Sequence, residues 1–345
     1  MLKNKKNSIL WLSLALLLTA GSVAEAKNAK PTISISSETT TSFAVSVTQK
    51  KLKSKKTRLS FLVSGGDDDY SKLLLHFNGS NGATTVSNEC KSPLAGRTIA
   101  NNNVTVSTDQ GKFGGASAFF NGTSSYLALN DHNDWNFSGG TWTVDAWVRV
   151  NSLTGERTVF SQKTDATNNI RGFVKTDGSL SLAVENSGTI TSLTSDAGKI
   201  TLNNWHHVAF VESGNDYYLF VDGVKAASLV SSVRPADLTG MLVVGYTDLA
   251  DETAPFSGYL DEFRFTNGKA RWTNNFNLAQ KAFGYSQASV NSNKKLNSKG
   301  KGTVTISDLI PGMEYTIKAR IRKYGEKSKQ DSNYSSLKTG TTDSN

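Results

Sequence analysis

The sequence predicts an all-β protein built as two sandwiches, one carried inside the other, and three observations predict it. Apolar residues alternate at period two in many short runs, as they do in strands with one buried face. Glycine is plentiful, 29 against 5 prolines, and Asn78-Gly79, Asn121-Gly122, Asp177-Gly178 and Asp222-Gly223 punctuate the runs as tight turns. Charge falls into three blocks: residues 27–66 carry +7, residues 67–285 carry −6 and residues 286–345 carry +6. The two ends therefore resemble one another and differ from the middle.

Taken in order, the chain opens with Lys3, Lys5 and Lys6, an apolar run from Ile9 to Ala20, and small residues ending in Ala24-Glu25-Ala26. That is the three-part pattern of a secretory signal peptide over residues 1–26, cleaved near Ala26, and it implies an extracellular or periplasmic destination. The run is shorter than the roughly 20 residues a membrane-spanning helix needs. The rest is long enough for two domains of about 100–200 residues each. Cys90 is the only cysteine, so no internal disulfide can form and stability must come from burial.

Between Pro31 and Val63 the segments TISISS, SFAVSV and RLSFLVS place Ile33 and Ile35, then Phe43, Val45 and Val47, then Leu59, Phe61 and Val63 at period two. At the other end, TVTISDLIPGMEYTIKARIRKYG and NYSSLKTGTT read as three further strands. In the first of these, Leu309-x-Pro311-x-x-x-Tyr315 precedes alternating Ile317, Ala319 and Ile321. This spacing resembles the E to F corner of a fibronectin type III domain, an immunoglobulin-like sandwich, and the N-terminal runs resemble its strands A, B and C, with Val47 where the family usually has tryptophan. The resemblance implies that residues 30–65 and 287–341 are two halves of one sandwich, and that the Tyr315 hydroxyl locks the corner. Either half alone would leave an apolar face and unpaired edges.

Residues 71–285 lie between SGGDDDY and the polar SQASVNSNKKLNSKGKG, which read as linkers. Five segments follow in order: GKFGGASAFFNG leading to SYLAL, TWTVDAWVRV, NNWHHVAFV, LFVDGVKAA and GYLDEFRF. Together they resemble a laminin G-like, concanavalin A-like jelly roll. That family implies that LLLHFNG and GYLDEFRF lie side by side and antiparallel, so that the guest's two ends are close together.

Glucan hydrolysis needs two carboxylates flanking the scissile bond, and no Glu-x-Asp-x-x-Glu run occurs; Asp261-Glu262 and Asp251-Glu252 are neighbours whose side chains diverge in a regular strand. His206-His207 diverge likewise and read as a packing strand rather than a metal site. No Gly-x-Ser-x-Gly elbow appears, and Cys90 reads as a lone thiol. The chain is therefore expected not to be an enzyme. The jelly-roll resemblance implies one structural Ca2+ on Asp261, with carbonyls from about Asn78 or Gly114; the competing reading makes Asp261 a hydrogen-bonded strand residue. Sugars need aromatic rings beside polar acceptors, and Trp135, Tyr246, Asp248 and Asp251 are loop residues of that kind, with rim packing as the alternative. Trp142, Trp147 and Trp205 read as core. The basic run at residues 49–58 lacks interleaved aromatics, so nucleic acid is not an expected partner.

The expectation is a secreted recognition or adhesion protein that binds extracellular glycan through jelly-roll loops. The alternative is a structural or protein-binding component of a surface layer or fibre.

Overall fold

The computed structural model describes residues 30–38, 42–49, 57–65, 68–90, 98–249, 252–279, 282–283, 288–292, 296–297, 300–306, 314–323, 334–335 and 338–341. The expected signal peptide, Leu309, Pro311, Asp251 and most of the basic run lie outside these residues. The described part is all-β, with its strands in two bodies of sheet.

The first body joins the two ends of the chain. Strands β1 (Thr32–Glu38), β2 (Phe43–Thr48) and β3 (Thr57–Gly65) come from the N-terminal side. Strands β21 (Ala288–Ser292), β22 (Lys301–Ile306), β23 (Glu314–Lys323) and β24 (Lys338–Thr341) come from the C-terminal side. They form a β1-β2-β22 sheet and a β21-β3-β23-β24 sheet. Register places Val45 opposite Val304 and Phe61 opposite Ala319, so the period-two residues of both ends meet. Phe43, Val45, Val47, Phe61, Val304, Tyr315 and Ile317 share one buried cluster. Phe43 meets Tyr315 edge to face at 5.9 Å, a favoured aromatic geometry.

The central body contains β4 (Ser71–Leu75), β5 (Ile99–Asn102), β6 (Thr105–Ser107), β7 (Ser117–Asn121), β8 (Tyr126–Leu129), β9 (Thr141–Val150), β10 (Arg157–Asp165), β11 (Asn168–Val174), β12 (Leu180–Asn186) and β13 (Thr189–Thr194). It continues with β14 (Trp205–Ser213), β15 (Asp216–Val221), β16 (Val224–Val230), β17 (Leu242–Val244), a two-residue pair β18 (Asp248–Leu249) and β19 (Glu252–Thr253), and β20 (Ser257–Asn267). A seven-stranded sheet, β13-β12-β11-β10-β17-β8-β5, faces an eight-stranded sheet, β16-β15-β14-β9-β20-β7-β6, whose β20 also pairs with β4. Trp142, Val144 and Val148 of β9 pack between the sheets with Phe160, Ile170, Phe210 and Phe263. Each such side chain contributes about 1.5–3 kcal/mol by leaving water. Trp205, expected in the core, is only half-buried.

Where the chain enters and leaves this body, Leu73 to Leu75 of β4 run antiparallel to Phe263 to Phe265 of β20. The outer face of the eight-stranded sheet is covered by the segment after β20: Trp272 and Phe276, stacked at 3.8 Å, pack on Ala209, Val211 and Phe220.

That covered face holds charge. Arg264 donates to both oxygens of Asp145 at 2.9 and 3.0 Å, with both residues fully buried. Burial alone would push the Asp145 carboxyl up, but Arg264 and His207 hold it below the usual carboxylate range. The Arg264 guanidinium also lies 3.7 Å from the Phe283 ring centroid. At the end of the inner core, Glu212 accepts from the Trp142 indole N–H at 2.5 Å, and burial pushes its carboxyl up to about 7.

Candidate functional site

Strands β8, β10 and β17 build a groove on the outer face of the seven-stranded sheet. In β17, Leu242 and Val244 are fully buried in the core, so Val243 between them faces outward. Val243 lies opposite Ala128 on one side and Ser161 on the other. Because side chains alternate along a strand, Tyr126, two residues before Ala128, shares that face. After β17 the chain turns at Gly245, whose φ is +84° and where an added Cβ would stand 2.3 Å from the Phe120 ring. The turn brings Tyr246 over Tyr126, with ring centroids 5.4 Å apart and planes 28° from parallel.

Hydrogen bonds hold this arrangement. The Ser161 hydroxyl donates to the Tyr246 carbonyl at 2.7 Å. The buried Gln162 amide donates to the carbonyls of Leu238 at 3.1 Å and Gly240 at 2.9 Å, tying β10 to the loop before β17. The resulting cavity of about 290 Å³ is lined by Tyr126, Ser161, Gln162, Lys163, Thr164, Gly240, Met241, Val243, Tyr246 and Thr247. Its size matches the small end of the roughly 300–1,000 Å³ range of small-molecule sites. Two rings, hydroxyls and an ammonium can meet both the CH face and the hydroxyls of a saccharide.

The structure separates the residues singled out by sequence. Tyr246 is in the groove. Trp135 is not a surface ring: it is fully buried in a short 3-10 turn, Asn133–Trp135, and belongs to the inter-sheet core. Its expected ligand contact is corrected on that ground, since no face of the indole reaches solvent. Asp248 is placed only by its backbone, which pairs with Thr253. Tyr126, Gln162 and Met241 were missed; for Tyr126 the signal was present, because Leu127 and Leu129 in SYLAL face inward and leave Tyr126 and Ala128 outward.

Asp261 and Glu262 overturn the expectation that neighbouring strand residues diverge. Glu262 has φ +52° and β20 is bulged between Asp261 and Arg264, which re-aims side chains. Both carboxylates are buried, and both are engaged. Asp261 Oδ2 accepts from the Lys112 and Phe113 amides at 2.9 and 3.0 Å. Glu262 bonds the His76 ring at 2.6 Å and accepts from the Phe283 amide at 2.6 Å. Burial and the neighbouring Glu262 push the Asp261 carboxyl up to about 7 against the pull of those amides. Asp261 Oδ1 is buried with no hydrogen-bond partner. Calcium takes 6–8 oxygens, whereas two amide N–H groups already occupy one Asp261 oxygen, and among the described residues no group of three His, Cys, Asp or Glu converges. These residues do not fit a calcium cage; Asp261 clasps the 112–113 loop instead.

The two adjacent histidines each take their own carboxylate. His207 bonds Asp145 at 3.3 Å. His206 Nδ1 bonds Asp222 at 2.7 Å, while its Nε2 accepts from the Thr201 hydroxyl at 2.8 Å and the Thr201 amide at 3.2 Å. This hydroxyl, imidazole and carboxylate chain has the order of a catalytic triad. However, the Thr201 amide is spent on the imidazole and the Asn204 amide on Thr201 and Leu202. The set closes the 201–206 turn.

With the groove in place, comparison with known proteins bears on the central body. Residues 121–272 match the family model of the concanavalin A-like lectin/glucanases superfamily, Laminin_G_3. The matched stretch contains Tyr126, Ser161, Gln162, Met241 and Tyr246. No curated protein matches. Among solved structures, the chain is similar to domain 4 of AbnA, a GH43 extracellular arabinanase from Geobacillus stearothermophilus, in complex with arabinotriose. That match has 23% identity and a TM-score of 0.41 and covers 52% of this chain and 87% of that one. It is also similar to the Ruminococcus gnavus IT-sialidase CBM40 bound to α2,3 sialyllactose, at 13% identity and TM-score 0.33, covering 37% and 75% of the two chains. The Caenorhabditis elegans galectin LEC-6 follows at 16% identity and TM-score 0.30, covering 43% and 95%.

Proposed function

We propose that this is an exported, non-catalytic recognition protein that binds extracellular glycan in the groove over Tyr126 and Tyr246. The observation that carries the reading is the stacked tyrosine pair set beside the Ser161 hydroxyl, the Gln162 amide and the Lys163 side chain in one small cavity. The superfamily description covers both lectins and glucanases; a groove lined by tyrosine, hydroxyl, amide and ammonium suits holding a sugar, whereas hydrolysis works through two carboxylates. The terminal sandwich is read as a fibronectin type III host in which the jelly roll is inserted. Support comes from the pairing of β2 with β22 and β3 with β23, and from Tyr315 buried in the shared core.

The test is a glycan array followed by titration calorimetry with native protein, Tyr126→Ala and Tyr246→Ala. Each variant is expected to bind the best array ligand at least tenfold more weakly, about 1.4 kcal/mol, with no ligand hydrolysis. Unchanged affinity in both variants would place the ligand elsewhere, and release of reducing ends from that ligand would make the protein an enzyme. A structural role is favoured by a separate observation: Ile190 on edge strand β13, 64% exposed, and Val230 on edge strand β16, 73% exposed. Concentration-dependent sedimentation without glycan binding would select that reading.

A further inference from the structure

A second cavity, of about 690 Å³, lies on the other sheet, between the start of β16 and the segment after β20, and is lined by Lys225, Asn274, Asn275, Phe276 and Asn277. Its walls are fixed to one another. The Lys225 amide donates to Asn275 Oδ1 at 2.8 Å, and the Phe276 amide donates to the Gly223 carbonyl at 2.8 Å. Gly223 has φ +79°, and a Cβ there would stand 2.2 Å from the Phe276 carbonyl oxygen, so this close approach requires glycine. Behind the lining, Phe276 is stacked on Trp272, and the Lys225 ammonium is held 4.8 Å from the Tyr218 ring centroid. Asn274 and Asn277 stand exposed at the mouth.

The lining therefore presents one ammonium and three amides on a rigid frame. An ammonium selects negative charge, and amides donate to anionic oxygens and accept from hydroxyls. The volume suits a small-molecule ligand. We propose that this cavity is a second binding site, separate from the groove, that takes an anionic sugar unit bearing a carboxylate or sulfate group. Lys225 pairs with the anionic group and Asn274 and Asn277 bond the sugar's hydroxyls.

The experiment titrates native full chain, Lys225→Met, Asn274→Ala/Asn277→Ala and the groove variant Tyr126→Ala with three probes. These are a chondroitin sulfate tetrasaccharide, a polygalacturonate tetrasaccharide and neutral cellotetraose. Native protein is expected to bind at least one charged probe; chondroitin sulfate carries both carboxylate and sulfate whereas polygalacturonate carries carboxylate alone, so binding to chondroitin sulfate only assigns sulfate and binding to polygalacturonate assigns carboxylate. Lys225→Met should weaken that binding at least tenfold and Asn274→Ala/Asn277→Ala roughly threefold to tenfold, while Tyr126→Ala leaves it unchanged. All substituted side chains lie outside the core, and matching thermal melts confirm folding. The proposal is overturned if native protein binds neither charged probe, or if Lys225→Met binds them as native does, which would locate the contact at the basic run of residues 49–58 or in the groove.

Discussion

Asp261→Asn is expected to make the central sandwich more stable at pH 8 and less stable at pH 4. The Asp261 carboxyl is fully buried and is raised from 3.8 to about 7. Its folded-state pKa lies above the unfolded one, so the folded chain holds the proton longer, and stability falls as pH rises from about 4 through about 7. At about 1.36 kcal/mol per pKa unit, the ionised group destabilises the fold by up to about 4 kcal/mol above pH 7. Asparagine keeps an oxygen for the Lys112 and Phe113 amides and cannot ionise. Its NH2 replaces the unpartnered Oδ1 and leaves a buried donor unbonded, at about 1–3 kcal/mol, so the expected net gain at pH 8 is about 1–3 kcal/mol. Glu212, also raised to about 7, and His76, raised by Glu262 against the downward pull of burial, lose stability in the same direction as pH rises. The quantity to measure is therefore the variant minus native difference. Urea unfolding followed by tryptophan fluorescence reports it, because Trp135, Trp142, Trp147, Trp205 and Trp272 all lie in the central body. A difference that is the same at pH 4 and pH 8 would refute the reasoning. So would stabilisation of native protein, but not of the variant, by millimolar Ca2+ at pH 8, which would put a cation on Asp261.

Three other substitutions follow from particular contacts. Arg264→Met strands the fully buried Asp145 carboxylate and should destabilise the central body by about 3–5 kcal/mol in the same urea assay; adding Asp145→Leu should recover part of that loss. Gly172→Ala places a Cβ 2.3 Å from the Phe160 ring and 2.8 Å from that of Phe210, so overpacking of about 1–3 kcal/mol is expected, read as a lower urea midpoint. Gly245→Ala forces a methyl against Phe120 at a φ that only glycine takes easily. It should lower stability by about 1–3 kcal/mol and weaken glycan binding as Tyr246 shifts, with calorimetry as the check.

The period-two runs made the strands legible, because burying one face of a strand leaves a mark at every second residue. Ile33, Phe43, Val45 and Val47 on one side and Ile317, Ala319 and Ile321 on the other are all buried for that reason. What escaped were departures from the period. The β20 bulge depends on one positive φ at Glu262, and nothing in DEF distinguishes it from a regular strand. Trp135 sits among Asp, His and Asn and reads as a surface loop, yet a single 3-10 turn carries its ring into the core. The groove was half legible: Tyr246 stood out as a loop aromatic close to Asp248 and Asp251, whereas Tyr126 joins it only when β17 brings Val243 and the Gly245 turn beside it. The segment after β20 has no period at all, so its role in covering the outer face follows only from where Trp272 and Phe276 land.

That segment also ties the central body to the body formed by the chain's two ends. Two bodies joined through loose linkers could tumble against one another, but here Phe283 has its amide held by Glu262 and its ring on Arg264. The same phenyl belongs to the apolar cluster of the terminal body, together with Leu74 of β4 and Cys90. Leu73 and Leu75, on either side of Leu74, belong to the core of the central body. One strand thus packs into both bodies at once, its alternate side chains divided between two cores. Unfolding either body would expose part of this junction, so the two are coupled by packing and not only by connection.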